Sequence, residues 1–309
     1  MNPTKKYIAQ HKSVFSLKKN KVFSGAPSRR VVGWSIMRLL KNHLKLICIC
    51  ALHLPFAIYN GRHFWKKTWR LKASAKKKKA LLIGNGPSQG YLKASDLDNF
   101  VKSGGETYCV NYWNQNKRLA KHIPTWLCYS DTAHLLKKSI ATKNFIQYLK
   151  NNPSIKILIP SHQIKPFKEL QLSNEVFCFM DLELGIWKNT NPLFPRGYLN
   201  MSLYKMLAWA VYLDYNSIGI IGMDNTYPRD IYNDKNNKIC NIETHAGIKD
   251  SLRDLSQLFC NIAAWMDDVT LLFYHLEYFP QKNIVNLDPY SLTDRFKKVN
   301  KDKFLRNKL

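Results

Sequence analysis

The first residues whose types and spacing suggest chemistry are Gly84-Asn85-Gly86-Pro87-Ser88, directly after the apolar run 80–83. The two glycines permit backbone conformations and close approaches that a Cβ would forbid. The Asn85 amide offers a donor and an acceptor, and Ser88 adds a hydroxyl group. Such a loop can bind a phosphate or a nucleobase, and a plain glycine turn is the structural alternative. The spacing matches neither the dinucleotide fingerprint nor a Walker loop, because no third glycine and no Gly-Lys-Ser/Thr follows.

Short apolar runs alternate with segments of helical period through the middle of the chain. The runs that predict strands are 80–83, Thr107–Val110, Thr125–Tyr129, Ile155–Ile159, Val176–Met180, Ser217–Met223 and Val269–Tyr274. The clearest helical periods are Tyr198–Leu213 and Gly247–Met266. This alternation predicts an α/β fold, with a Rossmann-like, mostly parallel sheet and helices on both faces.

Polar residues follow four of the predicted strands, at the end of the sheet where ligands of parallel sheets bind. They are Asn85 and Ser88, then Asn111 and Asn114, then Ser130 and Asp131, and finally Asp224, Asn225 and Thr226. Amides and hydroxyls indicate a site that hydrogen-bonds a base and a sugar rather than one that grips a metal-bound triphosphate. The Asp-x-Asp at Asp96-Leu97-Asp98 follows no strand and is typical of a first helical turn, so we predict no metal site.

The charge of the chain is concentrated at its two ends. Residues 1–79 contain 20 of the 48 Lys and Arg residues and no acid, and residues 291–309 carry seven basic and two acidic side chains. Subtracting +20 and +5 from the net charge of +27 leaves only +2 for residues 80–290. We therefore predict a basic arm with an apolar anchor at 1–78, a Rossmann-like domain at 79–290 and a basic surface tail at 291–309.

The arm contains an apolar run at 46–59, followed by an aromatic and cationic stretch at 62–72. The run is shorter than the roughly 20 residues of a spanning helix, and His53 and Pro55 interrupt it. Aromatic and cationic side chains suit the headgroup region of an anionic membrane. The pattern favours a peripheral anchor on the cytoplasmic face of the inner membrane. The alternatives are a targeting peptide and an RNA-binding arm that uses Lys76–Lys79, and the apolar run disfavours the latter.

Four elements in this order resemble the bacterial lipooligosaccharide sialyltransferases of glycosyltransferase family 42. They are Gly84-Asn85-Gly86-Pro87-Ser88, Cys109-Val110-Asn111-Tyr112, Gly219-Ile220-Ile221-Gly222-Met223-Asp224 and Thr244-His245-Ala246-Gly247. The resemblance covers about residues 78–280. The glycine loop alone also occurs in other Rossmann-like proteins, including pterin pyrophosphokinase-like ones, so the order of the four elements carries the comparison.

The resemblance implies a metal-independent, inverting transferase without a cofactor, which moves sialic acid from CMP-sialic acid to a hydroxyl of a surface glycolipid or polysaccharide. His245 would be the general base, and Tyr227 and Tyr232 would bind the departing phosphate. By position, the resemblance implies that Asn85, Ser88 and Asn111 bind CMP and that Ser202 or Asn200 lies near the sugar carboxylate, with Asp224 at the Gly-Met-Asp strand end. The loop glycines Gly84 and Gly86 and the strand-end residue Ser130 complete the predicted nucleotide site. The implied partners are the CMP-sugar donor, the oligosaccharide acceptor and an anionic membrane. A homo-oligomer is compatible with this interpretation, and nucleic acid is disfavoured.

The chemistry of histidine suits the role that the resemblance gives to His245. An imidazole with an ordinary pKa near 6.5 accepts a proton from a hydroxyl at neutral pH. The polar stretch 233–244 before it is typical of a mobile loop. Without the resemblance, a lone histidine before a helix is more often a cap or a surface residue. Two further interpretations stay open: a pterin pyrophosphokinase-like nucleotide enzyme, and a non-catalytic nucleic-acid or polysaccharide-assembly protein.

Overall fold

The computed structural model describes residues 78–111, 113–130, 140–182, 188–197, 201–226, 231–236, 238–243, 251–254 and 259–306, with short stretches between 44 and 75. The strands are β1 Lys79–Ile83, β2 Glu106–Val110, β3 Trp126–Cys128, β4 Lys156–Pro160, β5 Val176–Phe179, β6 Ser217–Ile221, β7 Ile231–Asn233, β8 Ile239–Glu243, β9 Ser251–Asp254, β10 Ile284–Asn286 and β11 Lys297–Lys298. Eight of them form one parallel sheet in the order β11-β10-β6-β1-β2-β3-β4-β5. The other three, β7, β8 and β9, form a small antiparallel sheet.

Helices cover both faces of the parallel sheet. They are α1 Ala94–Lys102, α2 Ile140–Asn151, α3 Ile164–Lys168, α4 Ser202–Leu213, α5 Phe259–Leu276 and α6 Lys301–Leu305. Successive strand residues point to opposite faces, so Leu82 packs in one core with Trp209 of α4 and Leu276 of α5. Leu81 packs in a second core with Phe100 of α1. The predicted α/β fold, with a mostly parallel sheet and helices on both faces, is confirmed.

Six of the seven predicted strands lie where the sequence placed them, and the seventh is wrong. Residues Val269–Tyr274 belong to α5, and the place beside β6 is taken by the three-residue strand β10. The helix predicted at Gly247–Met266 is also wrong in its first half, because Ser251–Asp254 forms β9 and α5 begins at Phe259. A short apolar run fits a buried helix as well as a buried strand, so periodicity could not decide between them.

The folded domain continues past the boundary predicted after residue 290. Strand β11 pairs with β10, and α6 packs beneath the sheet. Phe296 and Phe304 are 1% and 0% exposed. A Cβ on Gly219 of β6 would lie 2.6 Å from the Phe304 ring, so α6 lies directly against the strand. The segment predicted as a basic surface tail therefore contributes core residues up to the end of α6.

The described residues of the N-terminal arm between 44 and 59 are helical. Several of their apolar side chains face solvent, with Leu44 61% and Leu52 71% exposed. Leu71, further along, packs against the core of the domain. None of the described helices combines the length and the hydropathy needed to span a bilayer.

Candidate nucleotide site

The chain reverses its direction of winding between β1 and β6. From β1 the connection runs through α1 to β2, whereas β6 follows α4 and lies on the other side of β1. Helices α1 and α4 pack on opposite faces of the sheet. Such a switch point opens a crevice beyond the carboxyl ends of the two strands, which is where open α/β sheets bind their ligands. The Gly84–Ser88 loop and the Gly222–Asp224 segment meet at this point.

Three glycines let the two loops approach each other closely. The Gly84 amide donates to the Ile221 carbonyl at 2.8 Å, and the Gly86 amide donates to the Gly222 carbonyl at 3.0 Å. A Cβ on Gly84 would lie 2.4 Å from the Gly222 oxygen. Gly222 has φ +77°, and a Cβ there would lie 2.3 Å from the Gly84 oxygen. Glycine is therefore required on both sides of the contact.

Hydrogen bonds between Ser88 and Asp224 also join the Gly84–Ser88 loop to the Gly222–Asp224 segment. The Ser88 amide donates to Asp224 Oδ1 at 3.0 Å, and Ser88 Oγ donates to Asp224 Oδ2 at 3.1 Å. Ser88 Oγ also accepts from the Gly222 amide at 2.9 Å. Both residues are buried, and a Cβ on Gly86 would lie 1.9 Å from Asp224 Oδ2. The Ser88 hydroxyl proton and both carboxyl oxygens of Asp224 are thus bonded within the protein, where they hold the shape of the loop.

Asp288 is a second carboxylic acid beneath this loop, and the sequence analysis did not select it. It follows β10, the strand next to β6, and it is 1% exposed. Burial, together with the hydrogen bond and charge of Asp288, raises the pKa of Asp224 to about 7. The Asp288 carboxyl therefore acts on the protonation of the carboxyl that holds Ser88. Because β10 was missed in the sequence, no strand-end signal pointed to Asp288.

The residues nearer to solvent along this edge are amides and hydroxyls. Asn85 is exposed at the tip of the β1 loop, while Asn111 follows β2 in the left-handed conformation, with φ 46°. Asn111 Oδ1 accepts from the Ser130 amide at 3.4 Å, and Ser130 Oγ is hydrogen-bonded to Ser202 Oγ at the start of α4. Strands β6, β1, β2 and β3 are neighbours, so the polar residues after them form one row. This row is the arrangement predicted from the sequence.

Gln89 links the loops after β1 and β2, although the sequence analysis gave it no role. Its Nε2 donates to the Gly84 carbonyl at 3.0 Å, and its Oε1 accepts from Asn116 Nδ2 at 2.6 Å. Gln89 is 2% exposed. A buried glutamine with both ends bonded fixes the loop from below. Its position directly after Ser88 is the one sequence signal that could have suggested this role.

The structure describes only part of the predicted catalytic set. Tyr227, His245 and Asn200 lie outside the described residues. Tyr232 lies on β7, is 37% exposed and pairs with Cys240 of β8. The roles assigned to these four residues therefore stay predictions.

A buried charged cluster lies between the end of β5 and the first turns of α4. Asp181 forms ion pairs with Arg196 at 2.5 Å and with Lys205 at 3.3 Å. Burial alone raises the pKa of Asp181, but Arg196, Lys205 and His162 outweigh it and the net shift is downward. Burial, with the charge of Arg196, lowers the pKa of His275 to about 4, which keeps this imidazole neutral at pH 7. Through Lys205, the cluster holds the start of α4, which carries Ser202.

A Thr–His–Asp arrangement elsewhere in the domain is structural. His122 Nε2 lies 2.9 Å from Thr107 Oγ1, and His122 Nδ1 lies 2.7 Å from Asp98 Oδ1. The distances resemble those of a nucleophile with its base. However, Thr107 is 0% exposed within β2, and its Oγ1 also accepts from the Thr125 amide. The hydroxyl cannot reach a substrate, so the network joins α1 to the sheet.

Among the described residues, no group of three or more His, Cys, Asp or Glu side chains is placed to hold a metal ion. Asp96 of the Asp-x-Asp segment lies in the first turn of α1, where its side chain accepts from the Lys93 amide at 3.1 Å. The expectation that this segment begins a helix is confirmed. Compared with models of known protein families and with curated proteins, the chain matches none.

Proposed function

We propose that this protein is a glycosyltransferase that uses a CMP-activated sugar. The observation that carries the proposal is the row of uncharged hydrogen-bonding groups, from Asn85 through Asn111 to Ser130, at the switch point of the sheet. Amides and hydroxyls recognise the edge of a base and the hydroxyls of a ribose. The glycine loop beside them is fixed by Ser88 and Asp224, so the backbone can approach a ligand without rearranging.

The resemblance to the family 42 sialyltransferases makes this assignment more specific. It suggests CMP-sialic acid as the donor and a hydroxyl of a surface glycolipid or polysaccharide as the acceptor. Ser202, which is hydrogen-bonded to Ser130 at the start of α4, is proposed to bind the sugar carboxylate. Asp224 is proposed as a residue that shapes the nucleotide loop, since both its oxygens accept bonds from Ser88.

The reaction needs one proton acceptor and one stabilised leaving group. The acceptor oxygen forms a bond to the anomeric carbon while the bond from that carbon to the phosphate oxygen of CMP breaks. His245 takes the proton of the acceptor hydroxyl, a role that suits an imidazole at neutral pH. Tyr227 and Tyr232 donate hydrogen bonds to the phosphate as its negative charge develops.

Ligand-induced stabilisation tests the nucleotide assignment, because a ligand that binds only the native state raises Tm. Full-length protein should be melted with CMP, CMP-sialic acid, UDP, ADP, and ATP with magnesium. We expect a rise with CMP and CMP-sialic acid, and a smaller rise in Asn85→Ala. Asn99→Ala is the matched control, because Asn99 is exposed near the end of α1, away from the strand ends. A rise with ATP and magnesium alone would favour the pyrophosphokinase-like alternative and contradict the proposal.

The N-terminal arm is proposed to hold the enzyme on the cytoplasmic face of the inner membrane. The exposed apolar side chains at 44–59, such as Leu44 and Leu52, support this location, as do the 20 basic residues of positions 1–79. An amphipathic segment with basic neighbours binds anionic lipid through apolar burial and charge together. A glycolipid acceptor would be presented at the same surface.

A further inference from the structure

Among the described residues, one carboxyl oxygen of Asp288 has a hydrogen-bond donor and the other has none. Asp288 Oδ1 accepts from the Tyr290 amide at 2.9 Å. Asp288 Oδ2 is fully buried, and no donor in the described part of the chain bonds to it. The turn after β10 lies against Asp224, because Ser291 Oγ donates to the Met223 carbonyl at 2.7 Å and to the Asp224 carbonyl at 3.2 Å. From this turn, the Asp288 carboxyl helps to raise the pKa of Asp224. Oδ2 is therefore the Asp288 oxygen that is open to the Asp224 carboxyl.

Two buried carboxylates in contact cannot both be ionised without a large electrostatic cost. A cation could remove that cost, but no ion pair of the described residues includes Asp224 or Asp288. Lys298 of β11 donates to the carbonyl oxygens of Pro289 at 3.1 Å and Ser291 at 2.8 Å, and Lys205 of α4 pairs with Asp181. The loop at 84–91 contains no charged residue. A single shared proton satisfies both carboxyl groups.

We propose that Asp288 is a positioning residue for the nucleotide loop: one proton shared with Asp224 keeps the Asp224 carboxyl against Ser88. Loss of this proton brings two negative charges together beneath the loop. Their repulsion moves Asp224 away from the Ser88 hydroxyl and loosens the turn that carries Asn85. The expected effect on nucleotide binding rests on the proposed function. The shared proton does not, because it depends only on the folded structure.

The test compares the dependence of Tm on pH in full-length wild type and Asp288→Asn. The asparagine keeps the acceptor for the Tyr290 amide, and its Nδ2 supplies a permanent N–H to Asp224. In wild type, the pKa of Asp224 is raised to about 7, above the value of about 3.9 in the unfolded chain. The folded state thus holds a proton that the unfolded state has lost, so this contribution to stability declines as pH rises from about 4 to about 7.

We therefore expect the Tm of Asp288→Asn minus the Tm of wild type to increase as pH rises from about 4 to about 7. At pH 8, Asp288→Asn should have the higher Tm. The reverse variant, Asp224→Asn, is the control. It removes one of the two acceptors that bond Ser88, so it should lower Tm at every pH. Coincident pH profiles of wild type and Asp288→Asn would overturn the proposal. Stabilisation of wild type by magnesium chloride at pH 8 would also overturn it, because a cation would then fill the place of the proton.

Two further measurements complete the test. CMP affinity of wild type should fall above pH 7, by at most about tenfold per pH unit for one proton, and that of Asp288→Asn should not. The expected melting profiles with no CMP binding would support the proton pair and contradict the proposed function alone. If Asp288→Asn does not fold, infrared spectra of wild type test for the protonated carboxyl instead. A protonated-carboxyl band present at pH 6 and lost at pH 9 supports the proposal, and its absence at pH 6 overturns it.

Discussion

Ser88 and Asp224 are 136 residues apart in the chain, yet two hydrogen bonds of 3.0 and 3.1 Å join them. The pair connects the loop after β1 to the loop after β6, the two strands that flank the switch point of the sheet. A Cβ on Gly86 would lie 1.9 Å from the same carboxylate, so the backbone rests on the Asp224 side chain. The nucleotide loop is thus held from beneath by a distant segment, and its own side chains at the tip stay available to a ligand.

Replacing Ser88 with alanine should weaken both the domain and the site. The change leaves Asp224 Oδ2 without its hydroxyl donor and the Gly222 amide without its acceptor. Each loss leaves a buried polar group unpaired, so we expect the free energy of unfolding in urea to fall by about 1–3 kcal/mol. CMP affinity should fall with it. Ser95→Ala, at an exposed position of α1, is the control and should change neither quantity. Equal stability of Ser88→Ala and wild type would show that the contact does not fix the loop.

A methyl group on Gly86 should disrupt the site far more than one on Gly90. The new Cβ at Gly86 would meet Asp224 Oδ2 at 1.9 Å and the Gly222 oxygen at 2.7 Å. At Gly90 it would meet only the Arg118 guanidinium, at 3.2 Å, and this flexible side chain can move away. Gly86→Ala should therefore abolish CMP binding and lower Tm, whereas Gly90→Ala should keep both. Nucleotide titration and thermal melts of the two variants provide the comparison. Unchanged CMP binding in Gly86→Ala would refute the close packing of the loop.

The central strands and the row of strand-end residues could be predicted, because their signals are local. The apolar run 80–83 before two glycines, and Asn111 after Val110, reveal both a strand and its end. The strand β10 could not be found this way, since its three residues give too short a pattern. Asp288 was missed for that reason. The run Val269–Tyr274 was predicted as a strand because its short apolar pattern fits a strand and a buried helix equally well. It is part of the 18-residue helix α5. The pairing of Ser88 with Asp224 depends on sheet order, which periodicity does not encode.

Removing residues 1–66 should release the protein from anionic membranes. The truncation deletes the apolar segment and most of the basic residues of the arm, and it retains Leu71, which packs against the domain. Each basic residue near an anionic surface contributes about 1 kcal/mol. Sedimentation with phosphatidylserine liposomes should show full-length protein bound and the truncated protein free. A CMP-induced rise in Tm is the control that the domain still folds. Persistent liposome binding would place the anchor elsewhere, and equal affinity of the arm for RNA would favour the nucleic-acid alternative.

The central claim is tested most directly by transfer from CMP-sialic acid, measured as release of CMP by wild type and by His245→Ala in excess EDTA. With a lipooligosaccharide acceptor, wild type should release CMP, and its rate should rise with pH as the histidine loses its proton. His245→Ala should bind CMP within a few-fold of wild type and turn over about 100-fold more slowly, the usual contribution of a positioned base. Imidazole added to the variant should restore part of the rate. Full activity in His245→Ala, or no release of CMP by wild type, would contradict the account.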